Sequence, residues 1–583
     1  MRISFSRITT SNCDIMQIVS VNDKVERRTA NYKPNIWNYD RLQSTLTSKY
    51  DEEKYKREAE ALKEEVSGIL GSLMDPLNKL ELIDDISKLA LSYYFEEEIS
   101  ETLNEIAYMK STHVNNDLYA TAVCFRILRQ YGYNVSQDAF VDLIHEEFTT
   151  SAHLDDKTKV EILECSHLAA LEDDQSLLLD IAKSFTTKNL SRVLNSSNND
   201  DQDHIKHAIA DDKIIYNCPL HWSVSWFNVK KHIQYSNINN YSILLPLARL
   251  SFNMVQALHQ NELKEILRHA LLLIILITTI WWRNLGLSEV LTFTRDRVVE
   301  SFLWAVGVAY EPQYGSLRKW LTKAIVLVLI IDDVYDIYGS KQELEQFTTA
   351  VERWDPREIQ KLPEAIKKCF STLYDTANDI DNEIQKEKGW NSVLPHIKKV
   401  WSDFCKALLV EAKWYHAGRT PSLREYLDNG WTSSSGPVLS IHILFGVGQH
   451  RTQTISILNN SLEIIRHVSL IIRLCNDKGT SKAELERGDA PSSILCYMRE
   501  SNVGEEESRE HIGKIVTRSW KETNGLFISS PHCQQPMIRY VINAARVANF
   551  IYQNGDGFGV QDRETREQVL SCLIDPLPLA FDH

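Results

Sequence analysis

The chain is 583 residues long with a net charge of −15. That length is too great for one compact core and implies more than one domain. The acidic balance, with no Lys/Arg-rich stripe, excludes a nucleic-acid footprint. Ten cysteines are scattered without a C-x-x-C pair, which suits buried thiols in a reducing compartment rather than disulfides or zinc.

Residues 1–26 read as a short extension. Arg2 and Arg7 with several Ser/Thr faintly resemble a transit peptide, but Asp14, Asp23 and Glu26 follow closely. A cytoplasmic location is expected, with a plastid as the alternative. Arg27, Arg28 and Trp37 form an irregular arm able to bind an anion or to anchor a basic tail.

Beyond this arm, amphipathic helices are predicted over 51–70, 80–99 and 117–131, with a further start near Ser136-Gln137-Asp138. Helix pairs with short connections predict an α-barrel domain over 27–235, ending in the blurred pattern between Asn217 and Asn240. The second domain, 236–583, is predicted as an α-bundle with apolar helices over 244–259, 298–308, 317–338, 397–415 and 455–475. Ser433 to Pro437 should kink its helix. No helix is predicted to span a membrane, since the longest apolar run, Ala270 to Trp282, falls short of the ~20 residues required.

Lys323 to Ser340 reads KAIVLVLIIDDVYDIYGS, an apolar run that ends in three carboxylates. Gly339 is placed to stop the helix in the left-handed conformation. Carboxylates at the negative end of a buried helix are disfavoured by about 0.3–1 kcal/mol each, and by more when desolvated. A cation must compensate. Asp332 and Asp336 share a face at i,i+4 and can converge on a hard divalent ion, while Asp333 supports them. The other Asp pairs, at 84, 155, 173, 200 and 211, lack a third Asp at i+4.

A second constellation lies in LIIRLCNDKGTSKAELERGD, 470–489. Asn476, Thr480 and Glu484 recur at i, i+4 and i+8 and offer oxygen ligands suited to Mg²⁺. Arg473 lies one turn earlier, and Arg295 and Arg297 precede the helix bearing Trp304. These parts together would bind Mg²⁺ and a polyanion such as diphosphate, beside an aromatic cavity that favours a carbocation. Neither set contains a Ser/His/Asp or Cys/His arrangement. The chemistry implied is ionisation of an allylic diphosphate.

These motifs resemble the plant terpene synthases over the chain from about Arg27 onward. Arg27-Arg28 with Trp37 matches the family's tandem-arginine lid element, and Asp332 to Asp336 its aspartate-rich motif. Asn476, Thr480 and Glu484 match its second metal motif, and Arg295 and Arg473 its diphosphate-binding arginines. The resemblance implies catalysis by Asp332, Asp336, Arg295 and Arg473, with Asn476 also touching substrate, and three Mg²⁺ (or Mn²⁺) ions in a monomer. No D-x-D-D occurs, so the protonation-initiated class is not indicated.

KAIVLVLIIDDVYDIYGS, WSDFCKALLVEAKWY, RGDAPSSILCYMRE and NGDGFG are similar to the α-farnesene and β-ocimene synthases of that family. The acyclic product implied is α-farnesene from farnesyl diphosphate, with β-ocimene or another monoterpene from geranyl diphosphate as the alternative. Tyr552 and Asp556 are implied as wall residues near a C-terminal lid. Three departures stand out: extra sequence at His269–Ile280, a short segment after Trp222, and Lys478 where the family is apolar. The first raises a further alternative, an inactive helical protein.

Overall fold

The computed structural model describes residues 27, 30, 32–109, 117–136, 155–171, 179–184, 186–188, 219–235, 242–268, 293–487 and 491–579. Among them all regular structure is helical, and no strand is present. His269–Ile280, Arg28 and the helix start expected at Gln137-Asp138 lie outside the described residues.

Local chemistry sets the helix starts. Asp75, Asp117 and Asp155 cap the helices Pro76–Lys88, Leu118–Gln130 and Asp156–Ser166 by accepting from backbone N–H groups of the first turn. Ser340 and Ser422 do so in full capping boxes with Glu343 and Glu425. The 80–99 helix expected from its rhythm is two helices, Pro76–Lys88 and Glu96–Met109, separated by a 3₁₀ turn at Ser92–Tyr94. Ala90 has φ of +56°, and this left-handed residue breaks a pattern that periodicity alone reads as continuous. The segment expected at 455–475 also divides, into Arg451–Asn460 and Leu462–Arg487, which meet at 66°.

The N-terminal helices pack around a buried charge cluster. Arg126 donates two 2.8 Å bonds to Asp84 and also reaches Glu161, while Lys88 pairs with Asp84 at 2.6 Å. The C-terminal bundle is built around Val298–Val308, in which every residue is buried, and Gly436–Val447, which is nearly so. Gly315–Asp333, Leu394–His416, Leu462–Arg487 and Gln535–Tyr552 surround them.

Polar contacts join the two layers. Asn524 donates to the carbonyls of His167 and Ala169 at 3.1 and 3.0 Å, and Trp222 stacks on Trp520 at 5.5 Å. The C-terminal tail returns to the Leu244–Arg268 helix, where Asn253 exchanges two hydrogen bonds with the Leu577 backbone. Among the described residues no single helix is long and apolar enough to cross a membrane.

Arg318 is fully buried and ties three segments together. It donates to both Glu262 oxygens at 2.7 and 2.6 Å, and to the carbonyls of Ala309 and Glu311 at 2.7 Å each. Removing one member leaves an uncompensated buried charge, which costs about 3–5 kcal/mol. Urea denaturation of Glu262→Ala should therefore show a loss of that order. A loss under about 1 kcal/mol, the range of surface pairs, would contradict this role.

Candidate active site

The apolar run buries Leu317, Trp320, Leu321, Ala324, Leu327 and Ile331, and so carries its carboxylates to the inner end of the bundle. The helix widens there into a π turn at Val334–Tyr338, a bulge of the kind that often marks functional sites. Gly339 does not adopt the expected left-handed conformation, with φ −78° and ψ 136°. Glycine is needed for space instead: a Cβ there would lie 2.4 Å from Leu344 Cδ2.

Arg295 supplies the compensating charge. Its Nη2 lies 2.8 Å from Asp332 Oδ2 and 2.9 Å from Asp333 Oδ1, and its backbone N–H donates to Asp333 Oδ2 at 2.9 Å. Asp333 is 1% exposed and also accepts from the Tyr32 hydroxyl at 3.0 Å. Burial pushes its carboxyl up to about 6, while Arg295 and the hydrogen bonds pull the other way. The Asp332 side chain is 31% exposed and reachable, and Asp336 sits half-buried on the π turn.

The second constellation occupies the Leu462–Arg487 helix. Thr480 donates to the Asn476 carbonyl at 2.9 Å, which leaves its oxygen lone pairs turned outward from that bond. Arg473 Nη2 donates to Ser433 Oγ at 2.9 Å and pairs with Glu411 at 3.5 Å, while its Nη1 pairs with Asp477 at 3.9 Å. Its Nε is buried with no hydrogen-bond partner. Asp477 is held by the Tyr426 hydroxyl at 2.9 Å and the Ser493 N–H at 3.0 Å. Lys478 is exposed, on the side away from this network.

The two constellations border one space. The charge of Asp332 is felt at Arg473, Glu411 and Tyr552, and Asn476 also acts on the Tyr552 hydroxyl. Trp304, Tyr552 and Phe558 form an aromatic wall, with ring centroids 5.6–6.3 Å apart. The kink lies beside it: Ser435 has φ of +65°, and Gly436 approaches the Leu462–Arg487 helix so closely that a Cβ would lie 2.0 Å from Ser469 Oγ.

Two expected residues do other work. Arg297 is buried and donates to the carbonyls of Phe558 and Gly559, so it secures the loop after Tyr552 rather than joining Arg295 and Arg473. Asp556 turns back into that loop, accepting from the N–H groups of Phe558 and Gly559 at 3.1 and 2.6 Å. Its charge still reaches Arg295 and Tyr552.

The N-terminal arm crosses the mouth of the site. Arg27 forks onto Glu343 at 2.6 and 2.8 Å and lies 4.3 Å over the Tyr338 ring, while Trp37 Nε1 donates to buried Glu300 at 2.8 Å. Tyr32, Glu411 and Asp477 escaped the sequence reading, and Ser433 reads there only as the start of a kink. A Glu at a core position of the apolar LLVEAKWY stretch was a usable signal for Glu411. Tyr32 carried none, because its partner stands 301 residues away.

Among the described residues no three His, Cys, Asp or Glu side chains gather at one point. The oxygen donors are divided between two facing elements, all of the hard type that suits Mg²⁺. The guanidinium between Asp332 and Asp333 shows that this end of the site accommodates positive charge, so the residues fit a divalent ion.

The wider comparisons agree. Residues 36–211 match the model for the terpene synthase N-terminal domain, and residues 283–522 that for the terpene synthase family metal-binding domain. The chain is 47% identical to the α-farnesene synthase of Ricinus communis (95% of this chain, 96% of the relative) and 45% to the (E,E)-α-farnesene synthase of Malus domestica (95% and 94%). It is 39% identical to a chloroplastic trans-ocimene synthase of Litsea cubeba (95% and 92%). Its fold is similar to limonene synthase with 2-fluorolinalyl diphosphate, at 34% identity and TM-score 0.86 over 95% and 100% of the two chains. It is also similar to isoprene synthase from grey poplar with three Mg²⁺ ions and dimethylallyl-S-thiolodiphosphate, at 35% identity and TM-score 0.78 over 94% and 100%. With both halves matched and near-full-length identity of this order, the chain belongs to the terpene synthase family and is a lyase acting on a prenyl diphosphate.

Proposed function

We propose that the protein converts farnesyl diphosphate to α-farnesene and diphosphate. The observation that carries the reading is the Asp332–Arg295–Asp333 group standing opposite Arg473, beside the aromatic wall. The two α-farnesene synthases among its relatives support the acyclic product.

Asp332 and Asp336 would hold divalent metal from one side, and Asn476, Thr480 and Glu484 from the other. That metal, Mg²⁺ in this reading, supplies Lewis-acid neutralisation of the leaving diphosphate. Arg295 and Arg473 bind the diphosphate oxygens through their guanidinium groups. Ionisation breaks the allylic C–O bond, and both electrons leave with the diphosphate. The faces of Trp304 and Tyr552 border the resulting cation, and the arm through Arg27, Tyr32 and Trp37 excludes water from it. Loss of a proton from the cation, without ring closure, adds a fourth double bond and completes the tetraene.

Geranyl diphosphate to β-ocimene is the second reading, supported by the ocimene synthase relative. Supplying purified protein with each diphosphate, with Mg²⁺ or with chelator, separates the two. The expected outcome is α-farnesene from farnesyl diphosphate only when Mg²⁺ is present. No volatile product from either substrate would overturn the reading. Asp332→Ala should lower kcat/KM by at least about 10²-fold, a loss of about 2.7 kcal/mol of transition-state stabilisation. Its far-UV circular dichroism should be unchanged, and wild-type turnover would refute the role given to Asp332.

Tyr32→Phe tests the arm. It removes the hydroxyl bond to Asp333 but keeps the ring, which lies 5.2 Å from the Arg295 guanidinium. A net hydrogen bond to a charged group is worth about 1.5–3 kcal/mol, so kcat/KM should fall by about 10- to 100-fold. The share of water-quenched alcohol among the products should rise. An unchanged product ratio and rate would show that the contact is incidental.

A further inference from the structure

A cavity of about 1000 Å³ lies between the two domains, remote from the aspartate cluster. Tyr131 and Asn104 line it from the N-terminal domain, and Glu311, Arg539 and Arg546 from the C-terminal one. Arg539, Asn543 and Arg546 stand at i, i+4 and i+7 of the Gln535–Tyr552 helix, so they share one face.

Both guanidiniums lack an acidic partner. Arg546 donates to the His221 carbonyl and to Asn543 Oδ1, each at 2.8 Å, and to no carboxylate among the described residues. Arg539 has neither a hydrogen bond nor an ion pair among them; Glu311 and Glu96 act on it only through the field. Burial and the neighbouring charge of Arg539 push Arg546 down to about 10. Glu311 is 9% exposed, accepts from the Tyr540 hydroxyl at 3.1 Å, and has its other oxygen buried without a partner. Burial also pushes Glu311 up, toward the neutral form that can donate that missing bond. Two guanidiniums without a carboxylate partner and a carboxyl with one open oxygen leave hydrogen-bonding capacity in this semi-enclosed polar space that an oxyanion would fill.

We propose that this cavity binds a compact oxyanion of the phosphate class, held by Arg539 and Arg546 between the two domains. Guanidinium forks match tetrahedral oxyanions. Glu96, Glu97 and Glu101 stand exposed on the rim and disfavour any polyanion long enough to reach them. Arg539 lies thirteen residues from Tyr552, about 20 Å along one helix, so this site is separate from the one that takes diphosphate. It bridges elements of both domains, and its occupation therefore stabilises their docking.

The test uses the full-length protein in chelator, which suppresses the metal-dependent site. Hydrogen–deuterium exchange and thermal unfolding are followed with inorganic phosphate, with diphosphate, and with chloride at matched ionic strength. At ten times the dissociation constant, phosphate should slow exchange about ten-fold in segments 92–104 and 535–546 and raise the unfolding midpoint. Arg539→Gln should lose both effects while keeping wild-type turnover of prenyl diphosphate, and Asp332→Ala should retain both. Equal effects of chloride and phosphate would overturn the proposal. So would protection by diphosphate alone, protection mapping to 470–484, or protection that persists in Arg539→Gln. If that variant does not fold, exchange in the wild-type protein alone decides.

Discussion

Everything in the site depends on carboxylates delivered, by an apolar helix, to a place where water cannot stabilise them. Asp333 is sealed inside, and Asp332 beside it stays reachable. Their mutual repulsion and the negative end of the helix dipole both require positive charge. Arg295 answers that need now, lying between the two carboxylates. A guanidinium so placed has two possible employments, pairing with the aspartates or gripping an oxyanion. Arrival of a divalent ion at Asp332 would release it for the second.

The same logic recurs at Arg473, which is framed by Glu411, Asp477 and Tyr426 but keeps an unpaired Nε. The acids fix its position. Around both arginines the loops are tied by other side chains. Arg297 secures the loop after Tyr552, and Arg27 clasps the capping box that begins the helix after the π turn. The arm at the N-terminus is thereby joined to the aspartate helix and its π turn at Asp333 and Tyr338, and to the helix after it at Glu343.

What was legible in the chain was helix register. The spacings of Asp332 with Asp336, and of Asn476 with Thr480 and Glu484, place each set along one helical element, because side-chain direction follows directly from residues per turn. The kink at Ser433–Gly436 and the burial of the 298–308 helix were readable for the same local reasons. Errors came where tertiary space overruled local preference. Gly339 reads as a left-handed stop, yet Leu344 dictates it by crowding. Arg297 reads as a third anion-binding cation, yet loop carbonyls some 260 residues away claim it. Tyr32 could not be foreseen at all, since no periodicity connects it to Asp333.

The central claim is that the facing oxygen ligands and the two arginines form one diphosphate site that needs a divalent cation to be complete. Calorimetric titration of the purified protein with inorganic diphosphate tests it without any turnover. Binding should be at least about ten-fold tighter with Mg²⁺ than with chelator, a difference of about 1.4 kcal/mol or more, and Asp332→Ala should abolish the difference. Equal affinity with and without the metal would contradict the account.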